Sequence, residues 1–359
     1  MGTLDMPTSD DRTTLWATEC ELAHTLRKIF CTKKALIIRS DDASQSGFRS
    51  SSRVTRDHIP SNGETKRAVT RKLAAAAAVC AAVVVAVTGG AGSAETLVER
   101  GAYLVTTLAA CGNCHTPRDA AGKPIANMAL AGGFEFDDGP IGHVVVRNIT
   151  PDPETGIGKW TEAEIVTVLR DGKRPDGTVI GPPMPIRFYR QLSDRDAAAI
   201  AAYLHSLKPI SHEVGRTQFK SPPPPSWGPP VTHVDEPPQE DLIAYGGYLV
   251  GPVGHCTGCH TPPGAGGPDM NRTFAGGRQL PDFGNLGAET VSRNITPDPE
   301  YGLGRWSDDD IKRTISTCVR PDGTPLSRTM ACDWYGKIAP NDLDAIVAYL
   351  RSLKPLKTE

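Results

Sequence analysis

Apolar residues recur at helical spacing in several separate stretches of the chain. Residues 95–109 and 241–250 show this pattern, and each stretch leads into a short cysteine-containing motif. Further helices are predicted where a hydroxyl or amide side chain precedes an apolar run, since such residues cap helix N-termini. These predicted caps are Thr161, Ser193, Ser307 and Asn341. Sustained strand alternation is missing, and residues 143–146 are the best candidate for a short strand. The pattern therefore predicts an all-α fold.

The helical pattern occurs twice because residues 95–359 contain an internal duplication. The block Asn148–Glu154 is identical to Asn294–Glu300, and both copies continue into a glycine-rich turn and a tryptophan. The copies are offset by 144 to 146 residues. So long a period indicates two tandem domains rather than a solenoid of short repeats. We predict that these domains cover residues 95–212 and 241–359.

A proline-rich linker separates the two copies. Residues 213–240 include four consecutive prolines and two further proline pairs. Such a segment favours polyproline II structure and acts as a semi-rigid spacer. Packing across both domains is the alternative, and the sequence leaves both open.

The N-terminal part of the chain is typical of a leader. Within residues 71–94, two basic residues precede a short apolar run that ends in small residues, the three parts of a secretory signal. We predict export to the periplasm with cleavage after Ala94; an uncleaved leader that holds the protein at the inner membrane is the alternative. Residues 1–70 are polar and predicted to be disordered. They are either a translation-start artefact or a true cytoplasmic extension.

Composition changes this picture little. The 359 residues are 39% hydrophobic and 6% aromatic, which gives a lean core for this length. The formal net charge is -2, with the positive excess in residues 1–94 and the negative excess in the two copies. A mildly acidic mature chain does not indicate nucleic-acid binding.

Each copy carries one Cys-x-x-Cys-His motif. The residues are Cys111, Cys114 and His115 in the first copy and Cys256, Cys259 and His260 in the second. This spacing is the attachment signature of haem c, in which both thiols form thioethers and the histidine binds the iron. We therefore predict two covalently bound haem c groups. A thioredoxin-like redox pair would need a βαβ context, and a zinc site would need further ligands.

A methionine is the expected second axial ligand of each iron. Met184 follows Arg174 by 10 residues, and Met330 follows Arg320 by 10. Both lie in a loop just before the last helix of their copy. His/Met coordination raises the reduction potential of a haem. The alternative is that both are core methionines.

Four further residues have candidate roles with open alternatives. Cys318 and Cys332 flank the loop that holds Met330, and in an exported protein they would form a disulfide; two buried thiols are the alternative. Trp160 and Trp306 follow the repeated glycine-rich turn. They either donate to a haem propionate or pack in the core.

These motifs together resemble the class I cytochrome c family. More narrowly, they resemble the cytochrome subunits of membrane-associated bacterial alcohol, aldehyde and gluconate dehydrogenases. The resemblance covers residues 95–359 and implies two axial pairs, His115 with Met184 and His260 with Met330. It also implies a periplasmic dehydrogenase as electron donor, a quinone or oxidase chain as acceptor, and membrane association through such a complex. Those subunits typically carry three haem domains, whereas this chain has two.

Two classes of function fit these features. The first is an electron carrier that is not itself an enzyme, with both irons six-coordinate. The second is a di-haem enzyme, such as a peroxidase or a thiosulfate-oxidising enzyme. Such an enzyme needs one haem with an exchangeable site and acid–base groups beside it, for which His143 or Glu289 could be argued. Because the ligand pattern is the same in both copies, we favour the carrier.

Overall fold

Ten α-helices lie in the residues that the computed structural model describes, 94–283 and 289–358. The first five are α1 (Leu97–Thr106), α2 (Cys111–His115), α3 (Glu162–Asp171), α4 (Ile186–Tyr189) and α5 (Asp194–Ser206). The next five are α6 (Leu242–Tyr248), α7 (Thr257–His260), α8 (Asp308–Thr317), α9 (Cys332–Tyr335) and α10 (Pro340–Ser352). Short 3-10 turns cover Ala126–Met128 and Met270–Arg272, and a π-helical turn at Leu249–Val253 continues α6. The predicted N-terminal extension and the leader up to residue 93 lie outside the described residues.

Side-chain capping explains where three of the predicted helices begin. Thr161, Ser193 and Ser307 each accept a hydrogen bond from the backbone N–H three residues later. The prediction for the last helix was wrong, because Asn341 lies inside the first turn of α10 and Ala339 is the N-cap. Pro340 occupies the first helical position, where its missing N–H costs nothing.

Two close helix crossings organise the fold, α1 with α5 and α6 with α10. A Cβ on Gly101 would lie 1.9 Å from the carbonyl oxygen of Ala199, and one on Gly246 would lie 1.9 Å from that of Ala345. Backbone therefore packs on backbone at both crossings, which only glycine permits. These two glycines fix how near each motif-bearing segment lies to the last helix of its half.

Short antiparallel sheets accompany the helices, so the all-α prediction was incomplete. Strands β1 (Glu135–Asp138), β2 (Gly142–Val145) and β3 (Gln218–Phe219) form one sheet in that order. Two-stranded sheets pair β4 (Pro263–Gly264) with β5 (Gly267–Pro268), and β6 (Gln279–Leu280) with β7 (Thr290–Val291). The strand predicted at residues 143–146 is confirmed as β2. In the first sheet Phe136 pairs with Val144 and both enter a small apolar cluster with Phe134.

The proline-rich segment lies against the first half of the described chain. Strand β3 extends the first sheet, and the indole N–H of Trp227 donates to the carbonyl of Ile180 over 2.8 Å. The backbone N–H of Val231 donates to Asp171 over 3.0 Å. Hydrogen bonds therefore hold this segment along much of its length.

Two tyrosines join the halves in a reciprocal way. The hydroxyl of Tyr103 donates to Asp342 over 2.6 Å and accepts the N-cap amide of α10. The hydroxyl of Tyr248 donates to Asp196 over 2.8 Å and accepts the N-cap amide of α5. Arg100 holds the same Asp196 carboxylate through two hydrogen bonds of 2.8 and 2.9 Å. Each half thus caps a helix of the other.

The main apolar core runs through both halves. It includes Leu104 and Ile200 from the first half and Leu249 and Val347 from the second, all at most 2% exposed. The described residues accordingly belong to one compact unit. Among the described helices, none has the length and apolarity needed to cross a membrane.

Candidate haem-binding site

Each Cys-x-x-Cys-His motif forms one short helical turn. The first is α2 and the second is α7 with the preceding cysteine. A left-handed residue precedes each turn, Ala110 with φ 45° and His255 with φ 41°. This sharp change of direction takes the chain from the preceding helix into the motif. Both thiols and the histidine of a motif therefore lie within a single turn.

A backbone carbonyl orients the imidazole of each motif. Nδ1 of His115 lies 2.7 Å from the carbonyl oxygen of Arg147, and Nδ1 of His260 lies 2.7 Å from that of Arg293. Since a carbonyl can only accept, each Nδ1 carries the proton and leaves Nε2 as the metal-binding nitrogen. Burial lowers the pKa of both imidazoles, which favours the neutral form that binds metals.

The repeated Asn-Ile-Thr-Pro-Asp block holds these carbonyls in place. Asn148 directly follows Arg147, is 3% exposed, and donates to the carbonyl of Ile210 over 2.8 Å. Its side-chain oxygen accepts the backbone N–H of Thr150 over 2.9 Å. In the second half Asn294 donates to the carbonyl of Leu356 over 2.6 Å. The block therefore ties the histidine-orienting segment to the chain beyond the last helix of each half.

Three of the four motif thiols are partly buried, and that of Cys114 is exposed. Burial raises the pKa of Cys111 and of Cys256 to about 12. Redox-active Cys-x-x-Cys pairs have a lowered pKa instead. The environment therefore argues against a thioredoxin-like pair.

Aromatic rings cross between the halves to cover the two motifs. A Cβ on Gly112, inside the first motif, would lie 2.7 Å from the indole nitrogen of Trp334 in the second half. A Cβ on Gly258, inside the second motif, would lie 3.3 Å from the ring of Phe188 in the first half. Phe188 and Trp334 occupy matching positions in α4 and α9. The two motifs are thus brought together at the contact between the halves.

The two predicted methionine ligands adopt the same local structure. Met184 precedes α4, and its carbonyl accepts the N–H of Ile186 over 2.8 Å. Met330 precedes α9, and its carbonyl accepts the N–H of Cys332 over 2.6 Å. Both side chains are partly buried and pack against the main core, as do Cys111 and Cys256. Their role as iron ligands stays a prediction.

Comparison with known proteins supports the chemistry of these motifs. A family model described as Cytochrome c matches residues 98–208. A protein named as a diheme cytochrome c-type from Cereibacter sphaeroides is 31% identical, over 69% of this chain and 83% of the relative. The chain belongs to the cytochrome c family.

Dehydrogenase subunits are among the other relatives of this cytochrome. The cytochrome c subunit of alcohol dehydrogenase (quinone) from Gluconacetobacter polyoxogenes is 35% identical, over 72% of this chain and 56% of the relative. The gluconate 2-dehydrogenase cytochrome c subunit from Pantoea cypripedii is 31% identical, over 72% of this chain and 60% of the relative. The resemblance predicted from the motifs is confirmed. The cytochrome spans little more than half the length of these two relatives.

The donor set of each half suits a covalently attached haem. Two thiols on one turn match the two vinyl groups, and an imidazole with a fixed tautomer matches one axial position of the iron. Within residues 94–283 and 289–358, no group of three or more His, Cys, Asp or Glu side chains is arranged to hold a metal ion.

A disulfide connects Cys318 and Cys332 across the loop that carries Met330. Their Cα atoms are 5.8 Å apart. Cys318 ends α8 in a left-handed conformation with φ 55°, at the position where the first half has Gly172 with φ 64°. A residue with a Cβ is strained there. The disulfide holds that strained helix end against the start of α9.

Trp160 and Trp306 are partly buried and pack against the main core. The packing agrees with one of the two alternatives given for these residues, and a contact with a haem propionate stays a prediction.

Sequence reasoning missed the residues that contact the opposite half. Tyr103 and Tyr248 recur in the repeat, but their recurrence indicated only the duplication. Phe188 and Trp334 differ in residue type, and Arg118 has no counterpart, so no repeated signal marked them.

Proposed function

We propose that this chain is a periplasmic di-haem c-type cytochrome built from two tandem class I domains, residues 95–212 and 241–359, joined by the linker 213–240. It would carry electrons from a dehydrogenase to a quinone or terminal oxidase chain without being an enzyme itself. Haem c, when bound, supplies an iron that accepts and releases one electron. The observation that carries the proposal is that two Cys-x-x-Cys-His turns with identically fixed histidines each pack against an aromatic ring of the opposite half.

Each half would hold its haem with the same four kinds of side chain. The thiols of Cys111 and Cys114, or Cys256 and Cys259, would form the thioethers. His115 and His260 would supply one axial ligand each, with the tautomer set by a backbone carbonyl. Met184 and Met330 would supply the other.

The contact between the motifs supports electron exchange within the chain. Trp334 and Phe188 each pack against the motif of the opposite half. The shared core joins the two halves that carry the motifs. Centres held in a fixed arrangement need little reorganisation when charge moves, as in other preorganised sites.

The partners and the location are inferred from the relatives and from the leader. Several relatives are named as cytochrome subunits of alcohol, gluconate and fructose dehydrogenases. We therefore propose a periplasmic dehydrogenase as the electron donor, with membrane association through that complex. Export would depend on the signal-like segment 71–94.

Visible spectra with and without carbon monoxide test the proposal. The full-length chain would be produced in a host that exports and matures c-type cytochromes. Two low-spin haems whose reduced spectrum ignores carbon monoxide are expected, because both irons would already have two protein ligands. A high-spin haem that binds carbon monoxide would contradict this ligand set and favour the di-haem enzyme. Peroxide and thiosulfate would then be tested as substrates.

A further inference from the structure

Arg118 places a buried guanidinium group beside the first motif. Its side chain is 4% exposed, and Nη2 donates to the backbone and side-chain oxygens of Asn113 over 3.2 and 2.8 Å. Asn113 directly precedes Cys114. The guanidinium also lies 5.5 Å from the ring centroids of both Phe134 and Trp334. A positive charge is thus fixed between two aromatic rings next to the second motif thiol.

The charge of Arg118 is incompletely compensated by protein groups. Its Nε is buried and has no hydrogen-bond partner among the described residues. The nearest carboxylate is Asp333, 3.5 Å away, and that side chain is 53% exposed to screening water. An arginine side chain stays protonated at neutral pH even when it is buried.

The second half has no arginine at the position that corresponds to Arg118. Pro263 follows His260 by three residues, as Arg118 follows His115. The charge beside the first motif is therefore not repeated at that position of the second.

We propose that Arg118 raises the reduction potential of the first haem. This rests on the proposed function, because the Cys114 thiol stands in for a thioether sulfur. Reduction adds one electron from the donor and converts Fe³⁺ to Fe²⁺, which lowers the positive charge of the haem. A neighbouring positive charge repels the oxidised haem more strongly and thus favours reduction.

Redox titration of single variants tests the proposal. In Arg118→Gln one of the two reduction steps should move to lower potential, and the other should move less. A clear shift is expected because the Arg118 side chain is nearly excluded from solvent. Arg195→Gln is the matched control: it removes the same charge from a surface pair with Glu95 and should leave both steps in place.

A second variant keeps the test decisive if Arg118→Gln fails to fold. Asp333→Asn removes the carboxylate nearest to Arg118 and should raise the potential of one step. Arg118→Lys, which keeps the charge, should restore most of the lost potential. Unchanged steps in Arg118→Gln, or equal shifts of both steps, would overturn the proposal. So would an unchanged potential in Asp333→Asn.

The haem count separates this result from a failure of the proposed function. The count would be measured on the unsubstituted chain used for the titrations. Two haems with arginine-independent potentials would reject the arginine role and leave the carrier intact. Fewer than two haems in the unsubstituted chain would reject the carrier, and with it the basis for assigning a role to Arg118.

Discussion

At the scale of single residues, the hydroxyl of Tyr248 has the clearest predicted effect on stability. It is buried and binds the Asp196 carboxylate, Ser193 and the N-cap amide of α5. Replacing Tyr248 by Phe leaves these groups without a partner from the second half. Hydrogen bonds to charged groups contribute about 1.5–3 kcal/mol each, so we expect a loss of that order in the free energy of unfolding. Urea unfolding of the haem-loaded protein measures it.

Tyr203→Phe is the matched control for this variant. The Tyr203 hydroxyl makes no hydrogen bond among the described residues, although its ring packs against the main core. We expect its free energy of unfolding to change by less than about 0.5 kcal/mol. Equal losses in the two variants would show that the contact between the halves does not depend on the Tyr248 hydroxyl.

At this scale the sequence predicted the motif residues but not the contacts between the halves. Cys111, Cys114 and His115 are recognisable because thioether formation needs that spacing in any sequence. Arg118 and Trp334 instead make contacts with atoms of the opposite half. Such contacts depend on packing between distant segments, so neither composition nor repeat alignment could predict them.

At the scale of helices, the glycine crossings are the most sensitive points of the fold. Gly246→Ala would place a methyl group 1.9 Å from the Ala345 carbonyl oxygen, so α6 and α10 would have to separate. Overpacking of this kind costs about 1–3 kcal/mol. We expect a lower thermal midpoint, measured by circular dichroism.

Gly139→Ala is the control for the crossing. A Cβ at Gly139 would meet nothing within 4 Å, so this variant should unfold like the parent protein. A Gly246→Ala protein that kept the parent midpoint would show that the crossing can relax and that the glycine is dispensable.

The proline-rich segment carries a pH-sensitive contact with the start of α5. Hydrogen bonds from the imidazole to Asp194 and then Asp235 raise the pKa of His233 above its usual 6.5. The charged imidazole therefore stabilises the folded state below that usual value. This contribution is lost as the pH rises through the raised pKa.

Nuclear magnetic resonance titration of the reduced protein can measure this pKa directly. The His233 imidazole should titrate above 6.5, and Asp235→Asn should lower its pKa because one of the two partners is removed. His143, whose pKa is raised by Asp137 and Glu135, should be unaffected by Asp235→Asn. A His233 that titrates at or below 6.5 would mean that the segment does not contact α5 in solution.

The first residue of a helix could be predicted where a side chain caps the helix. It was harder to predict where a contact from a distant part of the chain replaces that side-chain cap. Thr161, Ser193 and Ser307 act locally, so the sequence contains the whole signal. For α10 the backbone N–H of the N-cap residue Ala339 donates to the hydroxyl of Tyr103 from the first half. The helix therefore begins there without a capping side chain of its own. The short strands were mostly missed because two to four residues are too few to show alternation.

At the scale of the whole molecule, the shared core and the reciprocal tyrosine contacts make one unit of two similar halves. The repeated blocks could be recognised in the sequence because they recur at a nearly constant offset. The arrangement of the two halves could not be predicted, because it depends on side chains such as Phe188 and Trp334 that the repeat does not share. The arrangement brings both motifs to one contact, which is what a two-centre electron carrier requires.

A reductive titration of the purified full-length protein, with its haem count, tests the central claim most directly. The chain should contain two covalently bound haems and should take up two electrons per molecule in two one-electron steps. The reduced form should then return both electrons to an external acceptor without any organic substrate. One haem per chain, or uptake of a single electron, would contradict the account.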